Sequence, residues 1–174
     1  MPDANLKNKQ VVMIVPPENF RDEELFIPRD YLAGLGVEVL VASQDLVEAK
    51  GAKGGSVFPD LSLSEIDVKT ANAIVLVGGT GASIYWDDAE VHQIIQEAVA
   101  EGDIVAAICI APVTLGKAGV LKGKRATVSA SEAVQLEAAG ATYTNEDVTV
   151  DGKIITASSP AAAQKFAQAI AKKL

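Results

Sequence analysis

The chain's single cysteine, Cys109, stands in IVAAICIAPVTLGKAGVL (104–121), where an apolar run stops and a helical stretch begins. A thiol at such a junction lies beside unsatisfied backbone N–H groups and the positive end of a helix. Both favour thiolate, and settings of this kind lower a cysteine pKa from about 8.5 into the range of about 3.5–7.5. The sharp strand-to-helix turn is also the geometry of a nucleophile elbow. Position alone leaves a second reading open, a buried core cysteine acting as a small hydrophobe.

Two other stretches hold groups that a reactive thiol needs. In VGGTGAS (77–83), Gly78 and Gly79 let the backbone approach a bound group, and their N–H groups can hold an oxyanion. The plainer reading is a glycine turn. In RDEEL (21–25), Asp22, Glu23 and Glu24 crowd a helix start, where solvated carboxylates offset the dipole. A carboxyl pointing inward beside a thiolate behaves differently. Like charges repel, so the acid stays protonated and donates a hydrogen bond to sulfur. His92, the one histidine, sits among polar neighbours in DDAEVHQIIQEA and reads as a surface helix residue, not as a base for Cys109. Tyr85 and Trp86 read as anchors for the loop after the glycines, at the border of the site. A dinucleotide site is not indicated: Gly79-Thr80-Gly81 begins a G-x-G, but Ile84 takes the third glycine's place.

The elements that must position these groups alternate. QVVMIVP (10–16), VEVLVAS (37–43), ANAIVLVGG (71–79) and DIVAAIC (103–109) read as strands. Between and after them, RDEELFIPRDYLAGLG (21–36), DDAEVHQIIQEAVAEG (87–102) and APVTLGKAG (111–119) read as helices. GSVFPDLSLSEI (55–66) reads as a short hairpin. A strand RATVS (125–129), a helix over 132–138, a hairpin DVTVDGKIITAS turning at Asp151-Gly152, and a closing helix PAAAQKFAQAIAKKL complete the chain. Such alternation gives an α/β fold, a mostly parallel sheet with helices on both faces and sites outside the carboxyl ends of its strands. Residues 1–9 read as a polar N-terminal extension and 10–174 as one domain.

Composition excludes several classes. The chain has 174 residues and a net charge of −8, which argues against a nucleic-acid partner. One cysteine forms no internal disulfide and suits a reducing cytoplasm. One histidine and one cysteine argue against a zinc site. The polar start is no signal peptide, and no apolar run reaches membrane-spanning length.

Taken in order, these stretches resemble the ThiJ/PfpI superfamily, from about Lys9 to Leu174. That family includes the parkinsonism-associated deglycase, PfpI-like intracellular proteases and glutathione-independent glyoxalases. FRDEELFIPRDYLAGLGVEVLVAS is similar to its first helix and second strand, and AIVLVGGTGA to its glycine loop. VAAICIAPVTLGKAGVLKGKRAT is similar to its elbow, and VDGKIITASSPAAAQKFAQAI to its closing hairpin and helix. The resemblance implies a flavodoxin-like three-layer sandwich that assembles as a homodimer or larger homo-oligomer. It makes Cys109 the nucleophile and Glu24 its acid, chosen because Glu24 stands four residues before Pro28 in an E-x-x-x-P spacing. Gly79 and the Ile110 N–H become the oxyanion donors, with Gly78 in the loop. No cofactor or metal is implied.

Two departures matter. The peptidase-like branch has histidine directly after the cysteine, where this chain has Ile110. The deglycase branch has one in the segment matching RATVSASEAV, where this chain has none. The resemblance therefore implies a cysteine-dependent stress-response protein acting on reactive dicarbonyls or on damaged protein, by a Cys109 thiolate assisted by Glu24. A non-enzymatic redox-sensing chaperone using Cys109 oxidation, or a peptidase, amidase or hydratase, stays open beside it.

Overall fold

The structure, a computed structural model, describes residues 6–174. The chain runs β1 (Gln10–Ile14), β2 (Glu18–Phe20), α1 (Asp22–Gly34), β3 (Glu38–Ser43), β4 (Ala49–Gly51), β5 (Ser56–Val57) and β6 (Leu61–Ser62). It continues β7 (Ala73–Leu76), α2 (Ala89–Ala100), β8 (Ile104–Ile108) and α3 (Pro112–Lys117). The last part holds β9 (Arg125–Ala126), α4 (Ala133–Ala138), β10 (Thr142–Tyr143), β11 (Val148–Asp151), β12 (Ile154–Ala157) and α5 (Ala163–Lys173).

Seven strands form the main sheet in the order β11-β12-β8-β7-β1-β3-β6. Its pairs are parallel except the β11–β12 hairpin at one edge. The central strands β7 and β8 are buried along their whole length, because helices cover both faces and leave no polar side to show. Alternate residues feed two cores. Val12, Ile14, Ile74, Leu76, Val105 and Ala107 meet the apolar stripes of α2, α3 and α4 on one face. Val11, Met13, Val75, Ala106 and Ile108 meet Leu25 and Leu32 of α1 and Phe166 and Ile170 of α5 on the other. This is the three-layer, flavodoxin-like sandwich expected.

Three details differ from the sequence reading. The stretch 55–66 is not one hairpin: β5 turns back on β4, whereas β6 joins the main sheet beside β3. The glycine loop continues into a 3₁₀ segment, Thr80–Tyr85, before α2. Of the extension read over residues 1–9, residues 1–5 lie outside the described residues, and Leu6 is buried in the α1/α5 core with its N–H on the Leu35 carbonyl.

The β4–β5 hairpin is tied to the site by Asp22. Its carboxylate accepts the Lys53 and Gly55 N–H groups, each at 2.7 Å. Removing both acceptors in Asp22→Ala is expected to cost about 2 kcal/mol, or ~4–8 °C in Tm. Hydrogen exchange should quicken over residues 49–57. Unchanged protection there would mean that apolar contacts alone hold the hairpin.

Candidate active site

The main sheet's β8 ends at Ile108, and the next residue is Cys109 with φ +65°. A non-glycine residue in this left-handed region stores strain of about 1–3 kcal/mol and persists only where neighbours over-determine it. Here the Cys109 N–H donates to the Ala157 carbonyl at 2.9 Å, and its carbonyl accepts the Ser129 N–H at 2.8 Å. Pro112 then opens α3 at a position where the missing N–H costs nothing. The elbow read from sequence is thus formed. The thiol is half-buried and borders a cavity of about 190 Å³ that Arg21, Gly79, Thr80 and Ile110 also line.

Gly78 joins the three predicted groups. A Cβ at this position would collide with Glu24 Oε1, and would stand 2.6 Å from the Ile108 carbonyl and 2.8 Å from Cys109 Cβ. The glycine is what lets the carboxyl and the elbow close on each other. At Gly79 (φ +101°) a side chain would strike the backbone of Asn19, Phe20 and Arg21. The Gly79 and Ile110 N–H groups face the Cys109 sulfur, and the Gly78 N–H faces the Glu24 carboxyl. Glu24, Gly78, Gly79, Cys109 and Ile110 therefore lie together at the end of β8.

The acidic run at the start of α1 does not act as one cluster. Successive helix residues point about 100° apart. Asp22 grips the hairpin and Glu23 pairs with Arg21, while Glu24 turns inward and is fully buried. Neither Glu24 oxygen has a partner at full hydrogen-bonding geometry among the described residues. A carboxylate there would be a nearly uncompensated buried charge, which costs several kcal/mol. Burial accordingly pushes Glu24 up to about 8, with the Cys109 thiol, the Arg21 charge and the Gly78 N–H offsetting part of the rise. At neutral pH Glu24 holds its proton.

Cys109 departs from the low pKa expected of its position. Burial pushes the thiol up to about 12, the Glu24 charge adds to this, and the Gly79 and Ile110 N–H groups only partly oppose it. Desolvation outweighs the helix-end donors. The two groups are coupled: while Glu24 is neutral its repulsion vanishes, and its O–H is available to the sulfur. Thiolate belongs to the state in which Glu24 keeps the proton.

His92 does not serve the thiol. Its Nε2 is 2.7 Å from the Trp86 carbonyl, so Nε2 carries the proton and donates. It is half-buried and engaged, not free on the surface. Trp86 in turn donates its Nε1–H to the Ile110 carbonyl at 3.2 Å, and Tyr85 is buried with its hydroxyl on the Val15 carbonyl at 2.8 Å. Both aromatics anchor the loop, as read. Arg21 was missed. It directly precedes the acidic turn at a strand's carboxyl end, a placement that could have marked it. Its N–H donates to the Gly78 carbonyl at 2.9 Å, and its guanidinium forks onto Glu23 at 2.9–3.2 Å.

The family model described as the DJ-1/PfpI family matches residues 9–173. The glutathione-independent glyoxalase DJR-1.2 of Caenorhabditis elegans is 28% identical over 166 residues, covering 95% of this chain and 89% of its own. A deglycase of Thermococcus kodakarensis is 33% identical over 149 residues, covering 86% and 90%. The crystal structure of a ThiJ/PfpI domain protein from Brachyspira murdochii superposes with a TM-score of 0.93 at 29% identity, over 95% of this chain and 96% of that one.

The raised Glu24 pKa has a consequence for stability. The folded state binds this proton more tightly than the unfolded state does. Its contribution is therefore complete below the ordinary value of 4.5 and is lost as pH rises towards about 8. The expected loss over that window is on the order of 3–5 kcal/mol. Asp103, raised to about 6 mainly by burial just before β8, slopes the same way. Urea unfolding of wild type and Glu24→Gln at several pH values separates the two. The difference between the proteins should carry the Glu24 slope, and parallel curves would show that Glu24 ionises as in water.

Proposed function

The chain belongs to the DJ-1/PfpI family, and from that premise we propose that it converts small reactive dicarbonyls to 2-hydroxy acids through Cys109 and Glu24. The observation that carries this reading is the closure of a buried, protonated carboxyl on a strained thiol with no imidazole beside them. Family relatives named as a glyoxalase and a deglycase support the substrate class.

The steps follow from the groups present. From the state in which Cys109 is thiolate and Glu24 keeps the proton, Sγ adds to the aldehyde carbon, a C–S bond forms, and the carbonyl π electrons move to oxygen. The Gly79 and Ile110 N–H groups hold that oxygen as charge develops. Glu24 gives it a proton and becomes the carboxylate that removes the hydrogen from the same carbon. That proton is returned to the neighbouring carbon while the hydroxyl proton passes to that carbon's oxygen, leaving a thioester of a 2-hydroxy acid. Water cleaves the thioester, giving its hydroxyl to the acyl carbon and a proton to sulfur that passes back to Glu24, so the net change is substrate plus water to acid.

Addition to an aldehyde expels no leaving group, so a carboxyl suffices. Peptide hydrolysis must protonate an amine, and an imidazolium is the usual acid for it. With His92 held on Trp86, the peptidase reading lacks its acid.

Lactate formation from methylglyoxal should therefore be measurable, abolished in Cys109→Ser and retained in His92→Ala. Its rate should fall roughly 10²–10⁴-fold below that of histidine-bearing relatives, the usual worth of a general acid–base group. Casein should not be cleaved. Robust Cys109-dependent casein cleavage with no lactate would overturn the reading.

A further inference from the structure

We infer, resting on that reading, that the Cys109 pocket takes α-oxo aldehydes bearing a carboxylate, and that Arg21 is the specificity-determining residue that receives the acidic end. Arg21 is the one charged residue among those lining the cavity; Ala52, Thr80, Ile110 and Pro160 offer no charge. Arg21 and the thiol border the same cavity, and the guanidinium lies close enough to feel the charge of the Cys109 thiolate.

The guanidinium is oriented before any ligand arrives. Its backbone is fixed by the N–H to the Gly78 carbonyl and by the close approach of Gly79. Its Nε and Nη2 are held by the Glu23 carboxylate, which leaves Nη1 without a hydrogen bond among the described residues. The side chain is about one-third exposed, so a ligand carboxylate can reach it from the pocket mouth. Nη1 and the second Nη2 hydrogen form the guanidinium's other paired edge, which matches a carboxylate's two oxygens, and a preset side chain loses less entropy on binding. The chain as a whole carries −8 and repels anions, so acceptance of an acid requires a local cation. A cavity of about 190 Å³ is smaller than the ~300–1,000 Å³ of sites for drug-sized ligands and suits a chain of a few carbons.

4,5-Dioxopentanoate has the required form, an aldehyde and ketone at one end and a carboxylate at the other. Cys109 adds to its aldehyde while Arg21 holds the far carboxylate. The same proton transfers and thioester cleavage then give 2-hydroxyglutarate, with one water consumed and no oxidant or reductant.

The test compares alkylation of Cys109 by iodoacetate and iodoacetamide, which share a leaving group and differ in charge. Taking the ratio of the two rates cancels any effect of Arg21 on thiolate content. The iodoacetate-to-iodoacetamide ratio should exceed that of a free small thiol in wild type. It should fall about five- to tenfold in Arg21→Gln and lie between the two in Arg21→Lys. An unchanged ratio in Arg21→Gln overturns the proposal. Turnover supplies a second reading: the preference for 4,5-dioxopentanoate over methylglyoxal in kcat/KM should drop about tenfold in Arg21→Gln, mostly through KM. If neither dicarbonyl is converted while the alkylation ratio depends on Arg21, the anion subsite stands and the proposed reaction fails. If methylglyoxal is converted while the ratio ignores Arg21, the reaction stands and the subsite fails.

Discussion

The site depends on one constraint, the burial of the Glu24 carboxyl against the Cys109 elbow. A charge cannot be held there cheaply, so the proton stays and the acid becomes a donor. The thiol, also desolvated, is pushed up to about 12, with the Glu24 charge adding to the rise. Reactivity is therefore a property of the pair. A substrate that displaces residual water would strengthen each contact further, because effective dielectric falls as the site closes.

Several parts of the fold follow from keeping this pair together. The backbone of Cys109 must adopt a strained conformation, and it is clamped by β12 through Ala157 and by the Ser129 N–H after β9. Gly78 must lack a side chain, and the loop it begins is pinned by the Arg21 N–H. Helix α1 must deliver Glu24 inward, which it does by packing Leu25 and Leu32 on the sheet and against α5. Its neighbours in the same turn then point elsewhere and take other tasks, Asp22 on the hairpin and Glu23 on Arg21.

The alternation of strands and helices was legible because fully apolar runs such as AIVL and IVAAI have no other stable use in a chain of this length. The elbow was legible because Cys109 falls where strand spacing ends. What escaped was set by side-chain direction and by distant partners. Sequence reading placed three carboxylates in one turn, and helical periodicity says that they diverge, but not which partner each one meets. It assigned the thiol a lowered pKa from its local donors, whereas burial, a property of the assembled layers, dominates. The hairpin over 49–57 was misplaced because β4 contains lysine and glycine, and its pairing is fixed by Asp22 rather than by its own pattern. Membership of the DJ-1/PfpI family accounts for the frame; within it, Arg21 borders the cavity and the one histidine is held on Trp86, away from the thiol.

The protonation state of Glu24 is the claim on which the rest turns. Infrared difference spectra across a pH titration can follow its protonated C=O stretch, identified by its loss in Glu24→Gln. The band should be present at pH 7 and disappear with a midpoint near 8, the value to which burial raises this carboxyl. A band already absent above pH 5, as for a solvated glutamate, would contradict the account.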